Sequence, residues 1–175
     1  MATKLPTVAI IGRANAGKSS LFNRMVRSQQ AIVAREAGTT RDNVLGKVSY
    51  SRRNTSENGE TGEFWLVDTA GLKDAADEFE AGIQEQIGEA ADAADVILVV
   101  VDSTEYPGDE DRIVAKKALK SKKPVILVTN KADLKGALHN DEFRRLGIKD
   151  IIRTSAEHNS GVSELTVGMY RGENT

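Results

Sequence analysis

Residues 12–20 read GRANAGKSS and follow the apolar run TVAII at 7–11. The spacing is G-x-x-x-x-G-K-[ST], which suits a loop that holds a polyphosphate. Gly12 and Gly17 permit tight curvature and close approach, so the successive N–H groups of Gly12, Arg13, Ala14, Asn15, Ala16 and Gly17 can point at phosphate oxygens. A helix starting here would aim its positive end at the same anion. Lys18 would reach the β- and γ-phosphates, Ser19 would offer a hydroxyl to Mg²⁺, and Ser20 could bond the α-phosphate. A glycine-rich turn with a solvated lysine would carry the same letters. Glycine is only ~7% of residues, so chance produces the full pattern in roughly one chain of this size in a hundred.

Three further stretches could complete a nucleotide site. DTAG at 68–71 closes the run FWLVD. Asp68 could hold Mg²⁺ through water, and the Gly71 N–H could touch a γ-phosphate. D-x-x-G alone is common, and its value lies in its position at the end of a buried strand. NKAD at 130–133 ends PVILVTN. Guanine presents N1–H and N2–H₂ on one edge, and a carboxylate accepts both in a fork, which Asp133 can supply. Asn130 could bond the O6/N7 side and hold neighbouring loops together, while the Lys131 stem covers the base face. In TSAEH at 154–158, the N–H groups near Ser155 and Ala156 could meet the guanine O6. AGTTRD at 37–42 lies in a helix-free interval. A threonine there could complete the Mg²⁺ shell and order the loop in the triphosphate state. Spacing does not choose between Thr39 and Thr40.

The elements that must position these groups alternate. Strands are expected at 7–11, 64–68, 96–102, 124–130 and 150–154. Several are continuously apolar, as in strands covered on both faces. Helices are expected over Asn15–Gln29, Asp74–Ala94, Asp109–Lys120 and Asp141–Leu146, with a last one opening at Ser160. In the second, Phe79, Ile83, Ile87 and Ala91 make one apolar stripe. NVLGKVSYSRR, the polar NTSENGETG and EFWLVD form a β-hairpin, so one strand runs antiparallel near the sheet edge. The expected fold is a three-layer α/β sandwich with about six mostly parallel strands.

The chain has 175 residues, 39% of them hydrophobic and 29% charged, which fits one globular domain over 1–175. Gly168 and Gly172 interrupt the last helix, so 166–175 form a tail with no expected element. The net charge of −2 lacks the basic footprint of a stand-alone nucleic-acid binder. With no cysteine, disulfide frameworks and thiolate chemistry are excluded. The longest apolar run, VILVVV, is too short to span a bilayer, and the start lacks the pattern of a signal peptide. No membrane partner is expected, and cytoplasm is the expected compartment.

The order GxxxxGKS, TTRD, DTAG, NKAD, SA resembles the translation-factor-related P-loop GTPases over nearly the whole chain. LPTVAIIGR, LFNR, AIVA, GTTRD, LGIKDII and SAEHNSGVSEL are together similar to the first G domain of the tandem-domain ribosome-assembly GTPases of the EngA/Der family. The resemblance implies GTP/GDP as ligand, Mg²⁺ held by Ser19, Asp68 and Thr40, slow GTP hydrolysis, and a role in large-subunit assembly. Ribosomal RNA or a ribosomal particle would be met through parts beyond this chain, which is then a piece of a tandem protein or a single-domain relative. Ala14 stands where the family has proline, and the hairpin turn is long. The G domain of a tRNA-modification GTPase shares NAGKSS, AGTTRD and DTAGL, but the N-terminal LPTVAIIGR argues against it.

Leu72 follows DTAG, where signalling GTPases place a water-orienting glutamine. Relatives that share G-x-x-N-x-G-K-S and lack that glutamine use the asparagine to help bind potassium near the phosphates, which the resemblance carries to Asn15. Otherwise Asn15 is a loop residue tolerant of unusual backbone angles. Lys18 and Gly71, with Thr40 and Asn15 by resemblance, are the candidates for catalysis. Arg13 and Arg41 are either internal arginine fingers or solvated surface residues. Leu72 also admits a nucleotide-binding interaction module with negligible turnover. The lysines at 116, 117, 120, 122 and 123 are expected at a solvated helix end. His139 and His158 lack metal-ligand spacing, and Trp65 is expected in the core.

Overall fold

The computed structural model describes residues 5–13, 16–26, 31–32, 44–51, 61–68, 92–158, 160–162 and 165. The strands are β1 (Thr7–Ile11), β2 (Ala31–Ile32), β3 (Val44–Ser51), β4 (Thr61–Asp68), β5 (Val96–Asp102), β6 (Val125–Asn130) and β7 (Asp150–Arg153). Their order is β2-β3-β4-β1-β5-β6-β7 in one seven-stranded sheet. Among the described strands, only the β2–β3 and β3–β4 pairings are antiparallel, so β3, next to one edge, runs against the rest. The expected hairpin is present, with its turn outside the described residues. The strand beyond the expected six is β2, two residues long.

The continuous apolar runs follow from burial on both sides. In β5, Val96, Leu98 and Val100 face one core cluster, while Ile97, Val99 and Val101 face the other. Helix α1 (Lys18–Val26) covers the first face with Leu21, Phe22, Met25 and Val26. It lies close on β3: a side-chain carbon on Gly46 would stand 2.5 Å from Val26 and 2.9 Å from Phe22. Val162 and Leu165 pack on the same face, and the Leu165 N–H donates to Gly161 O at 2.9 Å, as in a helix opening near Ser160. Helix α2 (Asp109–Lys120) covers the second face with Val114, Ala115 and Ala118. Phe143 and Leu146 join them from Asn140–Leu146, which is a 3₁₀ helix. Fully buried side chains such as Leu21 and Phe143 each contribute about 1.5–3 kcal/mol of apolar transfer.

Three expectations change. Helix α1 begins at Lys18, not Asn15, because Ala16 and Gly17 still belong to the bend that precedes it. Trp65 is half-buried outside the core, with Lys47 Nζ 6.0 Å from its ring centroid. Lys123 is not simply solvated, since its ammonium donates to Ala94 O at 2.7 Å and Asp92 O at 3.2 Å. The expected helix over 74–94 lies outside the described residues except at its last turn. Among the described residues, no helix is long and apolar enough to cross a membrane.

Candidate functional site

Sheet register brings the distant motifs together. Ile10 pairs with Asp68 on one side and Leu98 on the other, and Asp102 pairs with Asn130. The chain therefore leaves the parallel strands β1, β4, β5 and β6 at the same end of the sheet, beyond their carboxyl ends, where ligands of open α/β sheets bind.

At the end of β1 the loop presses against β5. A side-chain carbon on Gly12 would stand 2.5 Å from the Val100 carbonyl oxygen, so only glycine permits this approach. Gly17 has φ +96°, a left-handed conformation, and passes the chain into α1 at Lys18. Lys18 folds back, and its ammonium donates to Gly12 O at 2.8 Å, leaving the residue only 7% exposed. The Ser19 hydroxyl donates to Asp68 Oδ2 at 3.3 Å. Asp68 is buried at the end of β4. A hydroxyl and a carboxylate meeting beside a helix N-terminus is a hard-oxygen donor set, and it fits Mg²⁺. Ser20 is exposed on the first turn of α1.

Arg13 is neither solvated nor aimed as a finger. Its guanidinium bonds Glu105 and lies 3.4 Å from Asp111 Oδ1, which ties the loop to the start of α2. Burial pushes the Asp111 carboxyl up, opposed by the Gly108 N–H, 2.9 Å away, and by Arg13.

On the other side, Asn130 joins three loops. Its Nδ2 faces Ala16 O at 3.5 Å, and its Oδ1 accepts from Thr154 Oγ1 at 3.0 Å and the Ala156 N–H at 3.2 Å. The loop-holding half of its expected role is thus visible. The Ser155 N–H donates to Ser160 O at 2.9 Å, so both amides expected to meet O6 are engaged within the protein. Lys131 has φ +62°, and its ammonium pairs with Asp102 Oδ2 at 2.9 Å. Burial alone would push the Asp102 carboxyl up. The Thr104 hydroxyl at 2.6 Å, the Thr104 N–H at 2.9 Å and Lys131 outweigh it and hold the group below its ordinary range.

Asp133 also sits below the ordinary carboxylate range. The Ser155 hydroxyl is the main cause, with Asp133's own backbone and His158 adding to it against a smaller opposing effect of burial. His158 Nε2 lies 3.0 Å from Asp133 Oδ2. Asp133, Glu157 and His158 form a cluster that sequence spacing did not reveal, with one ligand-capable atom from each within 4.8 Å of the others. Arg24 is another residue the sequence reading missed. It donates from α1 to the carbonyls of Ala156 at 2.6 Å and Glu157 at 2.7 Å, holding this loop in place. Its partners lie more than a hundred residues away, so only the arginine of LFNR hinted at it. Ala14, Asn15, Thr39, Thr40, Arg41, Gly71 and Leu72 lie outside the described residues.

The sequence pattern of a family described as 50S ribosome-binding GTPase matches residues 7–131. The protein called GTPase Der in Phocaeicola vulgatus is 44% identical over 95% of this chain, which covers 37% of that relative. GTPase Der of Bacteroides fragilis is 46% identical over 90% of the chain and is 35% covered. The chain thus spans about a third of the length of these curated relatives. Among solved structures, Aquifex aeolicus Era bound to GDP and AlF4⁻ superposes with TM-score 0.69 and 29% identity, over 97% of this chain and 57% of Era. Era in complex with MgGDPNP and a segment of 16S ribosomal RNA gives TM-score 0.69 and 28% identity, over 98% of this chain and 57% of that one.

Proposed function

The chain belongs to the 50S ribosome-binding GTPase family, and from that premise we propose that it is a Mg²⁺-dependent switch that binds GTP and hydrolyses it slowly in large-subunit assembly. One observation carries the reading: Gly12, Gly17–Ser19, Asp68, Asn130 and the Ser155–Ala156 loop converge beyond the carboxyl ends of the central strands.

In this reading the loop N–H groups and the α1 N-terminus cradle the phosphates. Lys18 exchanges the Gly12 carbonyl for the charged β/γ oxygens, a stronger acceptor. Ser19, Asp68 and Thr40 would hold Mg²⁺, which would supply positive charge to the phosphates. The Gly71 N–H would meet the γ-phosphate, and Asp133 would accept the two donors of guanine. Asn130 would keep the base loop and phosphate loop at one spacing. Leu72 cannot orient the attacking water, which accounts for slow turnover. Potassium beside Asn15 would add positive charge near the γ-phosphate. The family's description and the Era–16S RNA complex support a ribosomal particle as partner.

Leu72 also favours a second reading, a nucleotide-binding interaction module with negligible turnover. Phosphate release from GTP by purified protein, with Mg²⁺ and with EDTA, separates the two. Mg²⁺-dependent release that Lys18→Ala abolishes supports the switch. GTP binding without release supports the module.

A further inference from the structure

The loop after β7 is short and held from several sides. Ser155 and Ser160 exchange two backbone bonds, 2.9 and 3.0 Å long. A side-chain carbon on Gly161 would stand 2.1 Å from the Arg153 carbonyl oxygen, so glycine is required where the chain turns back. Arg24 bonds the carbonyls of Ala156 and Glu157. The Ser155 oxygen accepts from the His158 N–H at 3.4 Å. The backbone that carries His158 is therefore fixed, while its side chain is 64% exposed and reaches Asp133 Oδ2.

Asp133 stands just past the end of β6, and nothing in regular secondary structure sets the plane of its carboxylate. A carboxylate has about four lone-pair sites, and a guanine fork needs one on each oxygen, in plane. His158 Nε2 takes one site on Oδ2 and leaves that oxygen's second lone pair, while the Ser155 hydroxyl and Asp133's own N–H, which also donate to the carboxylate, would yield a site to guanine on binding. A donor on the carboxylate's flank removes the rotation about the Cβ–Cγ bond that would otherwise be lost on binding. The charged groups nearby do not replace it. Glu157 is an acceptor, Arg24 is committed to carbonyls, and Lys131 is paired with Asp102.

We propose that His158 is a positioning residue for base recognition, holding the Asp133 carboxylate in the plane in which both oxygens face guanine N1–H and N2–H₂. The inference rests on the reading of Asp133 as the guanine acceptor, and the test separates the two.

Dissociation constants for GDP and IDP, which lacks the N2 amino group, are measured on the wild type, His158→Ala and His158→Gln. The wild type should prefer GDP. His158→Ala should weaken GDP by about five- to tenfold, the worth of one hydrogen bond, and IDP by less, so that the GDP-over-IDP ratio falls. His158→Gln, whose amide can still donate, should restore most of the ratio. A ratio unchanged in His158→Ala, including equal weakening of both nucleotides as a folding defect would give, overturns the role of His158 and leaves Asp133 standing. A wild type that binds GDP and IDP equally overturns both.

Discussion

A side-chain carbon on Gly17 would stand 2.2 Å from the Asn130 amide nitrogen, so the loop after β1 and the end of β6 meet through a glycine. The same glycine has φ +96°, which L side chains rarely adopt. Gly17→Ala therefore meets two independent penalties, a backbone one and a steric one. We expect a loss of about 1–3 kcal/mol in unfolding free energy by urea titration. In an Asn130→Gly background, which removes the clash together with the Asn130 bonds to Thr154 and Ala156, Gly17→Ala should still lower stability below that background's own value, because the backbone strain remains. No loss in that background would show that contact alone demands glycine here.

The pair of Asp102 and Lys131 gives a pH dependence with a definite sign. The Asp102 carboxyl is held below its ordinary value of 3.8, so its contribution is present above that value. It is lost as pH falls through the lower folded-state value. Asp102→Asn should cost about 1–2 kcal/mol at pH 7 and pH 5, the worth of charge-assisted bonds to Lys131 and Thr104. The gap between variant and wild type should narrow below about pH 4. Asp111, raised by burial, acts in the opposite sense: its contribution is fullest below 3.8 and falls as pH rises. The Asp102 charge adds to that upward shift, so the gap between variant and wild type also carries a small opposing contribution from Asp111. A gap that stays constant down to pH 3 would show that the pair contributes through packing and not charge.

Much of this architecture was legible because its causes are local. TVAII, VILVVV and PVILVT are apolar on consecutive residues because both sheet faces are covered, and that signal needs no partner to be read. The glycine-lysine-serine spacing and NKAD carry their chemistry in adjacent letters. What escaped depends on distant contacts. Ala31–Ile32 is too short to show a period, and it is a strand only because Gly46 and Leu45 lie beside it. Arg13 looked solvated because Glu105 and Asp111 are far along the chain. His158 looked idle because its partner is Asp133, reached through the tight Ser155–Ser160 loop. Trp65 misled because a large aromatic in the middle of β4 can cover a sheet face beside Lys47 without entering the core.

Leu72 and Asn15 together set an expectation for salt. Without an arginine finger or a water-orienting glutamine, intrinsic turnover should lie on the order of 10⁻⁴ to 10⁻³ per second. Replacing sodium by potassium at equal ionic strength should raise phosphate release well above that level. Asn15→Ala should lose most of the difference while binding GDP nearly as well as wild type. Equal rates in the two salts would leave Asn15 a structural loop residue.

Base choice is where the proposed site is most exacting. Asp133 is held as a carboxylate by the Ser155 hydroxyl, with His158 3.0 Å away. Accepting N1–H and N2–H₂ requires both oxygens as acceptors. Adenine has no donor at N1 or C2 and carries an amino group where guanine has a carbonyl, and polar sites of this kind discriminate by ~10⁴-fold. In Asp133→Asn one oxygen becomes an NH₂ donor, which then faces the guanine amino group, donor against donor. A buried or half-buried mismatch of this kind costs about 1–3 kcal/mol or more. Xanthine presents a carbonyl at that position, so the pairing is complementary again. Asp133→Asn should weaken GTP and strengthen XTP, while Lys18, Ser19 and Asp68, on the phosphate side of the site, contribute as before. Competition binding of GTP, ATP and XTP to the two proteins measures it. Wild-type protein that binds ATP as tightly as GTP, or a variant that still prefers GTP to XTP, would remove Asp133 from base reading and the guanine assignment with it.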